Sequence, residues 1–150
     1  MTNKLYHGTP ISKLKSILTD RALLSRKDKM IVDCSRFGGE IDVLEETAEQ
    51  LIKATFTERE QDRAHGVSST IEYKLAEQGS KKYNGINGVV LELEIPRTIF
   101  DLSGRRAGYF PRKVSLDRFL VGIHAEEEDI SEVTKLCSVF GYDVEVREKK

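Results

Sequence analysis

The most regular pattern in the chain is Val89, Leu91, Leu93 and Ile95 alternating with Glu92 and Glu94, the period-two signature of a strand with one apolar and one polar face. A Gly- and Asn-bearing turn at residues 84–88 leads into it and Pro96 ends it. Ile11, Leu14, Ile17 and Leu18 instead recur at three-to-four spacing, with Ser12, Lys13, Lys15 and Ser16 between them, which predicts a helix packed on the sheet by one face. Residues 4–7 read as a short first strand before it. Thr9 is placed as the helix cap and Pro10 as the first helical position, where a missing N–H costs nothing. Leu44, Ala48, Leu51, Ile52 and Thr55 carry the same period among many charges, predicting a long, largely exposed helix over 41–63. A last helix follows from Ile130, Val133, Leu136, Cys137 and Phe140, stopped by Gly141.

Between these segments the periodicity is weaker. Met30-Ile31-Val32 reads as a strand followed by a loop over 34–39, and residues 66–69 as a short strand, with Thr70 capping a helix over 71–77 that ends near Gly79. Residues 99–102 form a further piece of strand, 103–111 a loop rich in Gly and Arg, and 114–116, 120–123 and 143–147 the remaining strands. Strands broken irregularly by helices favour α+β over a doubly wound sheet. At 150 residues without an internal repeat, a single domain over 1–150 with one hydrophobic core is expected.

Composition narrows the class. With 39% hydrophobic and 33% charged residues the chain is too apolar for a disordered protein, and its apolar runs are too short to cross a bilayer. A net charge of -1 gives no overall attraction to nucleic acid or to a membrane surface. Cys34 and Cys137 lie in no metal-binding spacing, and the N-terminus shows no basic-then-apolar leader pattern, so core or boundary cysteines in a reducing, cytoplasmic compartment are expected. No metal site is expected, because His7, His65 and His124 are far apart, none with a second ligand at helical spacing.

The sharpest candidate chemistry is Tyr6-His7-Gly8-Thr9. A titratable imidazole at a strand end is followed by a glycine that admits a ligand to the backbone, then by a hydroxyl. Taken alone, the motif is equally a structural histidine with a turn and a cap. Followed by Leu14-Lys15-Ser16-Ile17-Leu18 and Ala22-Leu23, it resembles the ADP-ribosyltransferase superfamily, in which a His-Gly-Thr or His-Gly-Ser strand precedes a helix ending in Ser-Ile-Leu and then Gly-Leu. Here Ala22 replaces that glycine. The resemblance implies a split, mostly antiparallel sheet with flanking helices, and NAD as the substrate. It implies that His7 contacts the NAD ribose and that the Gly8 backbone grips the nicotinamide amide, with Thr9 beside them. Val67-Ser68-Ser69-Thr70, the helix after it and Gly88-Val89-Val90-Leu91-Glu92 fit the family's later order, so Ser68 and Ser69 are expected in the nicotinamide pocket.

One departure bears on the reaction. Such transferases carry a late-strand glutamate that stabilises the cation formed as nicotinamide leaves, whereas Lys113, after Arg112, precedes the late strand at 114–116. Glu92 or Glu94 offers a substitute carboxylate, although their alternation with Val and Leu is what a solvated strand face produces. Glu126-Glu127-Glu128 suits the dipole of the last helix. Arg97, Arg105, Arg106 and Arg112 surround the 103–111 loop and suit a pyrophosphate or a nucleic-acid backbone. The resemblance therefore implies an NAD-dependent ADP-ribosyltransferase acting on a protein or nucleic acid, of the kind found among toxins and phage or host-conflict effectors. A catalytically inactive nucleotide-binding or interaction module is the alternative, and an RNA 2′-phosphotransferase-like activity a minor one.

Overall fold

The computed structural model describes residues 2–35, 41–55, 68–70, 73–74, 76–77, 88–96, 107–109 and 113–149. In chain order its elements are β1 (Thr2–Pro10), α1 (Ile11–Asp20), β2 (Ala22–Leu24), α2 (Arg26–Ser35), α3 (Ile41–Thr55), β3 (Ser68–Thr70) and β4 (Gly88–Pro96). There follow β5 (Ala107–Tyr109), β6 (Lys113–Ser115), the single turn α4 (Leu116–Phe119), β7 (Leu120–Ala125), a 3-10 turn (Glu127–Asp129), α5 (Ile130–Val139) and β8 (Glu145–Glu148). Tyr73, Lys74, Ala76 and Glu77 are helical as well. Chain contacts divide the fold into two compact units, the first spanning residues 1–22, 69–108 and 115–150, the second 23–68 and 109–114.

The first unit carries most of a six-stranded sheet in the order β5-β3-β1-β4-β7-β8. β1 pairs antiparallel with both β3 and β4, β4 antiparallel with β7, and β7 parallel with β8. A mostly antiparallel sheet with helices makes the chain α+β. β1 is longer than residues 4–7 because its ladder with β4 runs unbroken from Thr2 opposite Pro96 to Pro10 opposite Gly88. That ladder corrects the expected helix start. Thr9 is a buried strand residue rather than a cap, Pro10 occupies the N-cap position in an extended conformation, and no side chain caps α1.

The predicted faces of α1 and α5 hold. Leu14 and Leu18 are fully buried on α1, Val133 and Cys137 are buried on α5, and burying each such leucine contributes roughly 1.5–3 kcal/mol. α5 ends in a Schellman motif: the Tyr142 N–H donates to the Cys137 carbonyl (2.8 Å) and the Gly141 N–H to the Ser138 carbonyl (3.2 Å). This needs the left-handed conformation that Gly141 adopts, at φ 77°. The Tyr142 hydroxyl then donates to the Leu18 carbonyl (3.3 Å), joining the ends of the two helices.

The second unit packs α2 against α3 and holds most of the two-stranded β2-β6 sheet. Here Met30-Ile31-Val32 is helical, not a strand. Ser25 starts that helix: its Oγ accepts from the Asp28 N–H (3.2 Å) and donates to the Asp28 carboxylate (2.9 Å), a reciprocal cap. Lys27, largely buried, reaches across to α3 and pairs with Glu49 (2.8 Å) and Glu45 (3.5 Å). α3 buries Ala48 and Ile52 but leaves Leu51 about half exposed, so the apolar stripe is narrower than the sequence predicts. Residues 56–63 of the expected long helix lie outside the described ones.

The remaining differences are local. Ser68 and Ser69 are strand residues of β3 as expected, and Thr70, expected as a helix cap, is a strand residue paired with Tyr6. Ala107–Tyr109 is a strand inside the expected loop. β6 is Lys113–Ser115 and Leu116 opens α4, because the Leu116 N–H turns to the Arg21 carbonyl (3.0 Å). β7 extends to Ala125, and the last strand is Glu145–Glu148 rather than 143–147. Residues 66–67, 71–72, 78–87 and 99–102, together with His65, Arg97, Arg105, Arg106 and Arg112, lie outside the described residues. So do 36–40, while Cys34 and Ser35 close α2 instead of opening a loop.

Candidate functional site

Successive side chains on a strand point to opposite faces, and the β1–β4 register assigns those faces. Leu5 lies opposite Leu93, His7 opposite Leu91 and Thr9 opposite Val89, which places these residues on one face. Tyr6 lies opposite Glu92 and Gly8 opposite Val90 on the other. His7 and Gly8 are half-buried, and Thr9 is 3% exposed. Because Thr70 pairs with Tyr6 in an antiparallel sense, the β3 backbone at Ser69 runs back alongside His7. The residues singled out in the sequence as His7, Gly8, Thr9, Ser68 and Ser69 thus fall on two neighbouring strands of one sheet.

The face opposite His7 holds a polar cluster that the alternation pattern did not reveal. Glu92 is not solvated: it is 4% exposed, His124 on β7 is 1% and Tyr6 is 8%. His124 Nε2 lies 3.3 Å from Glu92 Oε1, and Arg147 Nη1 on β8 lies 3.9 Å from Oε2. Tyr6 stands opposite Glu92 in the β1–β4 ladder, and burial, followed by the charge of that carboxylate and hydrogen bonding to it, pushes the Tyr6 phenol above its ordinary range. Helical Tyr73 covers the cluster, its ring edge-on to Tyr6 at 5.8 Å and to His124 at 5.0 Å, while Val90 and Ala76 fill the space beside them. Arg147 also holds Glu145 (2.7 Å), which lowers the Glu145 carboxyl below its usual value.

Strand geometry makes this grouping. β7 carries an extra residue where the β4–β7 register shifts between Glu92 and Leu93: Gly122 faces Glu92 and Leu120 faces Leu93, leaving Val121 as the bulge. Gly122 adds no side chain across from Glu92, and His124, opposite Val90, reaches the carboxylate diagonally. One sequence signal was available: Val90 shares the parity of Glu92 and Glu94, so that face was never wholly polar. Glu94, farther along, is exposed as expected.

The carboxylate expected beside His7 is therefore not Glu92. Its side chain is committed to the opposite face, and Lys113 begins the late strand β6. Among the described residues no group of three or more His, Cys, Asp or Glu side chains is arranged to hold a metal ion, and no helix is long and apolar enough to cross a membrane. A surface groove of about 660 Å³ runs along α2 and α3, lined by Lys27, Glu45, Glu46, Glu49, Gln50 and Lys53. Its lining has charges of both signs, two of them already paired with Lys27, and none of the sequence-predicted site residues. No known family model, curated protein or solved structure matches the chain.

Proposed function

We propose that this chain binds NAD at the β1–β3 strand pair and transfers its ADP-ribose to a macromolecular acceptor, protein or nucleic acid. The observation that carries the reading is the placement of Tyr6-His7-Gly8-Thr9 on a central strand flanked by Ser68-Ser69-Thr70, the arrangement expected of the ADP-ribosyltransferase superfamily. His7 orients the ribose through its half-exposed imidazole, the Gly8 backbone takes the nicotinamide amide, and Thr9, buried in the sheet, supports the strand beside them. Transfer builds positive charge on the ribose as nicotinamide departs, and stabilising that charge calls for an acidic or dipolar group on the His7 face.

A second reading is favoured by one observation: Glu92 is turned away from His7 and locked to His124. On that reading the same pocket recognises NAD or an ADP-ribosylated partner without catalysis. Incubating the purified protein with NAD, with calorimetry for binding and chromatography for free nicotinamide, separates the two. The transferase releases nicotinamide and loses at least about ten-fold of that rate in His7→Ala, a cost of about 1.4 kcal/mol. Binding without release selects the module, and the absence of both overturns the NAD reading.

A further inference from the structure

We propose that Glu92 is a positioning residue for the candidate nucleotide site: its buried pairing with Tyr6 and His124 fixes the β1–β4 register that directs His7 to the opposite face. The functional half of this inference rests on the NAD reading; the register half does not. β4 is buried on both faces from Gly88 through Leu93, and on β1 the consecutive residues Leu5 and Tyr6 are both buried. Apolar alternation therefore discriminates weakly between registers here. A slip of one residue moves every side chain of a strand to the other face.

The polar cluster supplies the missing discrimination. Slipped one residue either way, Tyr6 would put its hydroxyl against Leu91 or Leu93, and Glu92 would lose the donor that β1 provides. An unsatisfied buried polar group is strongly penalised, and more so when charged. Slippage would also carry His7 to the face of Glu92 and away from its native one. A single buried polar group that sets register is the best-attested role for such contacts. On the β7 side, the Val121 bulge and Gly122 deliver His124 to the same carboxylate, so three strands are keyed to one residue.

The test compares two variants with the wild type, reading cross-strand nuclear Overhauser effects for register and calorimetry for NAD. Glu92→Gln retains an acceptor for Tyr6, and it should keep His7 opposite Leu91 and hold NAD affinity within about three-fold, roughly 0.7 kcal/mol. The triple variant Tyr6→Phe/Glu92→Leu/His124→Leu replaces the cluster by apolar groups. It should melt cooperatively at a temperature no lower than that of Glu92→Gln, yet show mixed cross-strand contacts and lose at least about ten-fold in NAD affinity. A role in stability alone would make affinity follow the melting temperature, so a triple variant with one native register and unchanged NAD affinity overturns the proposal. If it does not fold, Tyr6→Phe decides by the same two readouts, since it removes only the hydroxyl linking β1 to Glu92. A wild type that does not bind NAD sinks the proposed function, and the cross-strand contacts still decide the register.

Discussion

Arg21 sits in the left-handed region at the end of α1, φ 55°, where a residue with a Cβ is disfavoured by roughly 1–2 kcal/mol. The surroundings hold it there. Its guanidinium forms a fork on Asp117 (2.6 and 2.9 Å), donates to the Phe140 carbonyl (2.8 Å) and lies 4.5 Å over the Tyr142 ring. The hydrogen bonds from Arg21 hold the Asp117 carboxyl below its ordinary value. A depressed carboxyl contributes stability that is present above the unfolded-state value and lost as pH falls through the folded one. Carbon-detected NMR titration should therefore find Asp117 below the ordinary aspartate value and returned to the ordinary range in Arg21→Ala. Both side chains are nearly half exposed, so salt should weaken the shift; an Asp117 that titrates normally in the wild type contradicts this account. The cysteines divide by burial. A thiol reagent should label exposed Cys34 in the native protein and Cys137 only on unfolding, since burial pushes the Cys137 thiol up and away from the reactive thiolate. Equal native labelling of both would contradict the packing of α5. At this scale the sequence singled out Tyr6-His7-Gly8-Thr9 but not the partners of Glu92, because His124 and Arg147 reach it only through strand order, a bulge and a parallel pairing.

Elements with a clean period and a clear stop were legible. β4 and α5 appeared close to where they are, and Gly141 ends α5 for the reason its neighbours imply. Gly141→Ala meets nothing within 4 Å, so its cost is backbone conformation alone. Equilibrium urea unfolding should show a loss of about 1 kcal/mol, and less for Gly141→Asn, which tolerates the left-handed region. No loss in the alanine variant would contradict the Schellman end. Met30-Ile31-Val32 lies in α2 instead of a strand because the Ser25–Asp28 cap starts a helix directly upstream. The start of α1 departs from the expected cap for a tertiary reason: pairing of Thr9 with Val89 and Pro10 with Gly88 extends the strand beyond what local cap chemistry implies.

For the whole molecule, strands broken irregularly by helices supported the α+β class, and long-range contacts divide the chain into two compact units. The sheet's central strands bring the predicted nucleotide residues together on one strand pair, with His7 on one face and the buried Glu92 cluster on the other. The ADP-ribosyltransferase reading depends on the first of these arrangements, and the keying of strand register on the second. The most direct measurement is nicotinamide release from NAD by the wild-type protein beside His7→Ala at matched folding. The account predicts release by the wild type and a loss of at least about ten-fold in the variant; a wild type that neither binds NAD nor releases nicotinamide contradicts it.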